Sequence, residues 1–473
     1  MTVLALLALP VMAGADLRDH LLAMPLTTAL GGTTTRPLTT SEAFTFVTAN
    51  ADEDTREAFK RGNEIFNRAW EPVPGEDPDF DGLGPVFNRQ ACADCHVDNG
   101  RGRAPAGPDQ PMETALVRIS LPARRVTARN NPRPVPGYGD QIQDRAIPGV
   151  PAEGTVRVSW SETAGRYGDG GNYSLRAPTV VITDPAFGPL PSETLYSLRV
   201  ANPMIGLGLL ELVSDDTLYA LADPGDSDGD GISGAINRVW DPRDKALAVG
   251  RFGWKANVPN ITSQTAGAAQ GDMGITSHVV PQDNCARGQV ACRAAASHDG
   301  VEMTANMVRD VNIYSRRLAV PEQRGAERSE VRAGYGRFLA IGCAACHMPT
   351  LITADDARAG DLSGQTFHAF TDLLLHDMGD GLADGRPDFA ASGREWRTAP
   401  LWGIGLTEKV SGHTEFLHDG RARSLAEAIL WHGGEAEKAF DRACLLLGRR
   451  VRKGLVVDEP APSELPPPRS SRH

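Results

Sequence analysis

Outside residues 3–15, no stretch of the 473-residue chain approaches the ~20 apolar residues that a bilayer-crossing helix needs. A helical membrane span is therefore not expected. Positive charge is also short, with 48 Lys and Arg against 60 Asp and Glu and a formal net charge of −12. That balance argues against nucleic acid and against a basic membrane-surface protein, because both of those partners are polyanions. Histidine and cysteine are scarce, at 11 and seven residues, so the position of each carries weight. What the chain does have is length for about two to four domains and 41% hydrophobic residues, enough for proper cores.

Four of the seven cysteines stand in two copies of one pattern. Cys92-Ala93-Asp94-Cys95-His96 and Cys343-Ala344-Ala345-Cys346-His347 are both C-x-x-C-H. This spacing lets two thiols add to the vinyl groups of one haem while the adjacent His takes the iron through a ring nitrogen. A single C-x-x-C also suits half a zinc site or a thioredoxin-like redox pair. A zinc reading gathers four thiolates at one centre but leaves both His unexplained. Two covalently bound c-type haems are thus expected, on Cys92, Cys95, Cys343 and Cys346, with His96 and His347 as proximal ligands.

Residues 3–15 form a short apolar run ending in Ala13-Gly14-Ala15, an A-x-A cleavage pattern, although only Met1 and Thr2 precede it. Together with haem attachment outside the bacterial cytoplasm, this predicts a signal peptide over 1–15 and a periplasmic location. In that oxidising compartment Cys285 and Cys292 are expected to pair as a disulfide; two free thiols are the other reading. Cys444 is left over, and reads as a buried small hydrophobe.

After the signal, the Thr-rich stretch to residue 44 reads as an extended arm. Helical spacing of Phe59, Ile65, Phe66, Ala69 and Trp70 predicts a helix over 55–70, and a second is expected over 331–341. Each precedes a C-x-x-C-H. Between them, 115–121 and 154–160 alternate with period two and are bounded by Pro and Gly, which predicts short strands among long loops. Ser424-Leu425-Ala426-Glu427 is a capping box opening a last helix. Beyond Phe440 the period decays into a basic run and a Pro-rich end, so 456–473 reads as a disordered tail. Arg176-Ala177-Pro178 and Arg397-Thr398-Ala399-Pro400 follow the two haem motifs and suggest duplication. Their guanidinium forks suit haem propionates.

A wider resemblance rests on blocks in order: Gly82-Leu83-Gly84-Pro85-Val86-Phe87-Asn88 before Cys92, Tyr138 to Asp144, Gly206 to Glu211, Gly271 to Thr276, Leu375-His376-Asp377-Met378-Gly379 and Leu417-His418-Asp419-Gly420-Arg421. The chain resembles the di-haem oxidoreductase family, also labelled thiol oxidoreductases, which is distantly similar to bacterial di-haem cytochrome c peroxidases. The blocks span about residues 45 to 440. The resemblance implies two cytochrome-c-like lobes, electron transfer and peroxide reduction at one haem, with the other taking up electrons. The fold expected is mainly α, with a first lobe over 45–320 that carries a loop-rich insertion with short β-strands, and a second over 321–455. A non-enzymatic electron carrier is the alternative. A small cytochrome, a cupredoxin or a small-molecule oxidant would be the redox partner.

Distal ligands are sought among His376, Met378 and His418, each of which also suits a hydrogen-bonded loop residue. The related peroxidases often carry Met before their H-D-G block, where this chain has Leu417. Asp226-Ser227-Asp228-Gly229-Asp230-Gly231 alternates carboxylates with a Gly turn, as a calcium loop does, but Asn237 stands where an EF-hand has its closing Glu. Calcium on Asp226, Asp228 and Asp230 and an Asx-rich surface turn are both open.

Overall fold

A computed structural model describes residues 14–122, 132–167, 170–295 and 300–446, except the side chains of Arg358 and 443–446. Most of the expected signal, the expected tail and the Cys444 side chain lie outside the described residues. In chain order the α-helices are α1 (Gly14–Ala23), α2 (Glu53–Asn67), α3 (Cys92–Cys95), α4 (Leu207–Glu211), α5 (Asp215–Leu221), α6 (Ile261–Met273), α7 (Val290–Ala294), α8 (Ala305–Arg317), α9 (Ser329–Ile341), α10 (Gly379–Leu382), α11 (Thr407–Ser411), α12 (Leu425–Leu430) and α13 (Glu437–Leu446). The segment expected as an extended arm opens with α1, whose Leu21 joins the largest core. None of the described helices is long and apolar enough to cross a membrane.

The expectation of a mainly α chain is corrected. The fold is 31% helical and 19% strand, with six two-stranded antiparallel sheets among the described residues. β1 (Val86–Phe87) pairs with β3 (Arg145–Ala146), β2 (Ala115–Ser120) with β6 (Leu195–Val200), and β4 (Thr155–Arg166) with β5 (Asn172–Thr183). β7 (Arg238–Asp241) pairs with β8 (Ala246–Val249), β9 (Leu351–Ile352) with β10 (Thr366–Phe367), and β11 (Leu375–Asp377) with β12 (Glu395–Arg397). The reason lies in how strands announce themselves. Two-residue strands have no period to read, and the outer half of β4 is exposed on both faces, which erases the alternation that marks its start.

Local chemistry sets the helices around the two motifs. At α2 the Asp52 carboxylate caps Thr55 N at 2.8 Å, and its apolar face of Phe59 and Phe66 packs on α8. Tyr314 of α8 lies 4.8 Å from Phe59 and 5.1 Å from Phe66, ring centre to ring centre. The crossing is close because Gly62 faces Asp310 O, which a Cβ would meet at 2.1 Å. These rings, with Trp70, Leu83, Met273 and Ile275, form the core against which Cys92 packs. At the second motif α9 ends on Gly342 at φ +104, a left-handed stop that only glycine takes without strain and that turns the chain into Cys343.

Cys285 and Cys292 are disulfide-bonded with Cα atoms 5.7 Å apart, and the pair packs on Val86 of β1, just ahead of the first motif. Inside its loop, Gln289 Nε2 donates to the buried Glu153 carboxyl at 2.6 Å, while Gln143 N donates at 2.8 Å. Burial pushes the Glu153 carboxyl up to about 8. The folded chain therefore holds a proton there that the unfolded chain releases near pH 4.5. Stability is expected to fall as pH rises from about 5 to 8, by up to ~1.4 kcal/mol per unit from this group. Denaturant titrations across that range should show the slope, and Glu153→Gln should flatten it.

Candidate haem centres

The first motif opens α3, where the Asp94 carboxylate accepts from Gln90 N and Ala91 N, both at 3.1 Å, and fixes the turn. His96 then directs Nδ1 to Asn202 O at 2.8 Å. A carbonyl can only accept, so Nδ1 carries the proton and Nε2 keeps its lone pair, the tautomer a metal takes. His347 repeats this with Nδ1 on Phe370 O at 3.0 Å. Phe370 sits at φ +56, which aims its carbonyl at the ring. Burial pushes both imidazoles down to about 4, so they are neutral near pH 7. Both residues are half-buried.

The four motif thiols are free, so neither C-x-x-C is a closed redox disulfide here. Nor do they converge. Among the described residues the one group of three or more His, Cys, Asp or Glu placed to share a metal is Asp226, Asp228 and Asp230, which removes the four-thiolate zinc reading.

His376, sought as a distal ligand, has both ring nitrogens engaged: Nε2 by Asp372 at 2.8 Å and Nδ1 by Glu435 at 2.7 Å. Burial opposes its charge, but Asp372 holds the imidazolium well above the ordinary value. With both nitrogens protonated it presents no lone pair. It lies beside the second motif all the same, 3.6 Å from Cys346 Sγ. His418 stacks on Trp396 at 3.6 Å and 14°, with Nε2 3.4 Å from Asp419. The Met378 side chain packs in the core with Trp396 and Trp431.

The two arginines part company. Arg176 is spent within the protein, on Glu415 at 3.0 Å, on Gly420 O and Arg421 O, and over the Trp160 ring. Arg397 is buried, with Nε on Gly253 O and Nη1 on Thr398 O. Its Nη2 has no partner among the described residues, and burial without a touching carboxylate pushes it down to about 10. A haem propionate is the kind of group such a fork fits.

Two groups beside the motifs escaped the reading of the sequence. Asp272 is half-buried at the end of α6, where its main-chain carbonyl accepts from Asn88 N and Arg89 N and its carboxylate from Gln141 Nε2 at 2.8 Å. Burial raises this carboxyl, whose charge is felt by both Cys92 and Cys95. His432, two residues beyond α12, places its ring centre 6.5 Å from that of His347. A lone His before Gly433-Gly434 has no spacing signal; its one mark is a position just past a capped amphipathic helix.

The two C-x-x-C-H motifs share the same proton-locked imidazole. Over residues 26–457 the sequence matches the family described as "Di-haem oxidoreductase, putative peroxidase". The chain belongs to that family and is a haem-dependent oxidoreductase. No curated protein matches it.

Proposed function

We propose that the chain reduces hydrogen peroxide at its first haem centre, with the second centre handling electrons from a donor. The observation that carries this is the contrast between the motif histidines: His96 has Phe66 as its ring neighbour at 6.2 Å and no imidazole partner among the described residues, whereas His347 has one. Bound haem supplies an iron that takes peroxide and passes electrons. The overall change joins one H2O2, two electrons and two protons into two waters. Cys92 and Cys95 are assigned to thioether bonds that hold the first haem, and His96 orients it through the fixed Asn202 contact. Asp272 is the acid assigned to proton delivery, its carboxyl raised by desolvation and held by Gln141. Cys343, Cys346 and His347 do the same holding at the second centre, with Arg397 on a propionate.

Export to the periplasm accords with the A-x-A run and with thioether chemistry, and the acidic chain suits a cationic small cytochrome or cupredoxin as donor. The test is an electron-paramagnetic spectrum of oxidised and half-reduced protein, then rapid mixing with peroxide and a reduced cytochrome or dye. A high-spin signal that peroxide removes, with oxidation of two donor electrons per peroxide, is expected. Two low-spin haems in every redox state, inert to peroxide, would leave the carrier function instead.

Calcium in the Asp226 loop belongs to the same reading. The carboxylate oxygens of Asp226, Asp228 and Asp230 lie within 4.8 Å of one another, and Lys438 Nζ donates to Asp230 O at 2.6 Å, tying the loop to α13. Binding is expected to be weak, with Kd on the order of 10⁻⁴ M. Calorimetry should give heat for the native chain and none for Asp228→Ala; equal heats rule out the loop.

A further inference from the structure

We infer that His432 is the second axial ligand of the haem held by the second motif, making that centre a bis-histidine site. The inference rests on the two-haem reading but not on peroxide chemistry. A metal–imidazole bond of roughly 2.0–2.1 Å, added to about 1.2 Å from a ring nitrogen to its ring centre, sets two trans imidazoles about 6.4 Å apart. The His347 and His432 ring centres are 6.5 Å apart, at an interplanar angle of 43°. That gap is too wide for stacked rings and matches the spacing of two imidazoles on one metal.

The hydrogen bonds of His432 point the same way. Its Nδ1 meets Ala428 O at 2.7 Å, so the proton is fixed on Nδ1 and the Nε2 lone pair is left free. His96, His347 and His432 share this pattern: Nδ1 on a main-chain carbonyl and no described partner on Nε2. The other interior histidines do not. His368 is held by Thr350 Oγ1 and Thr27 N, His413 by Arg101 O and Glu415 N, His376 by its two carboxylates, and His418 lies flat on Trp396. His432 also reaches the site on the right element. α9 runs into Cys343, and α12 ends two residues before His432.

Two neutral imidazoles give a low-spin iron, and replacing one by a thioether raises the potential. The experiment compares native protein with His432→Ala and His432→Met, using pyridine haemochrome counts, electron-paramagnetic and near-infrared magnetic circular dichroism spectra, and potentiometry. Native protein should show one bis-imidazole low-spin haem. His432→Ala should keep two haems while half of the iron turns high-spin, and added imidazole should restore the low-spin form. His432→Met should shift one of the two potentials upward and leave the other in place. A native spectrum without a bis-imidazole haem overturns the inference even if the variants fail to fold. So does a His432→Ala protein whose spectrum is unchanged. Peroxide is absent from these measurements, so an inert first centre would remove the peroxidase function and leave this ligand assignment standing.

Discussion

Replacing Cys92 and Cys95 together by Ser is expected to leave one haem per chain and to lower peroxide turnover by about three orders of magnitude or more, because the cofactor carries the redox chemistry. The mirror variant, Cys343→Ser with Cys346→Ser, should also hold one haem but still react with peroxide at the first centre. It should lose sustained turnover with a protein donor, since the electron-handling centre is gone. The asymmetry follows from the surroundings of His96 and His347: each has a phenylalanine ring beside it, Phe66 and Phe338, and His347 alone has a second imidazole among the described residues. Each variant should keep its packing around both motifs, as that of Phe59, Phe66 and Tyr314 around the first and of Phe338 and Phe370 around the second is made by protein side chains. Haem counts by pyridine haemochrome and stopped-flow absorbance check both. Equal peroxide reactivity in the two variants contradicts the division of labour. Loss of both haems from either variant shows that the centres are not independent.

How far the sequence reached depended on whether a feature is local. C-x-x-C-H is contiguous, so the motif cysteines and His96 and His347 could be read directly, as could α2, α9 and the Ser424 cap, whose periods lie within one turn or a few. The sheets were harder. β2 finds its partner in β6 across β3, β4 and β5, and β1, β3, β9 and β10 are two residues long, so the mainly α expectation gave way to a mixed fold. Ligand choice failed to be local in another sense. His376 and His418 stand in family-like blocks, yet what each does is fixed by Asp372, Glu435 and Trp396. The two carboxylates engage both nitrogens of His376. His432 carries no motif and is defined by a carbonyl four residues back and by a ring 85 positions away in sequence.

The largest structural effect is expected at Asp388. Its carboxylate is 2% exposed and binds Arg199 at 2.7 Å and Arg386 at 2.9 Å. Nearby, Lys255, fully buried, donates to Asp384 at 2.9 Å and lies 4.3 Å from the Trp396 ring centre. Three buried cations thus share two carboxylates, and the group joins β6 to the 384–388 loop beside β11 and β12. Asp388→Ala leaves Arg199 and Arg386 facing each other with Asp384 as the remaining counter-charge. Removing one partner of a buried pair costs roughly 3–5 kcal/mol, because the stranded charge cannot regain its hydration. The pH dependence follows from the carboxyl itself. Burial opposes its charge, but Arg386 and Arg199 outweigh it and hold the group well below its ordinary value. The folded state therefore binds fewer protons than the unfolded state around pH 3–4, and the stabilisation present above the unfolded value near 3.8 is lost as pH falls. Chemical denaturation at pH 7 should separate native protein from Asp388→Ala by several kcal/mol, and the gap should narrow between pH 5 and pH 3. A difference below about 1 kcal/mol at pH 7, the size of an exposed pair, or a gap that does not close in acid, would show that Asp388 does not hold this cluster together.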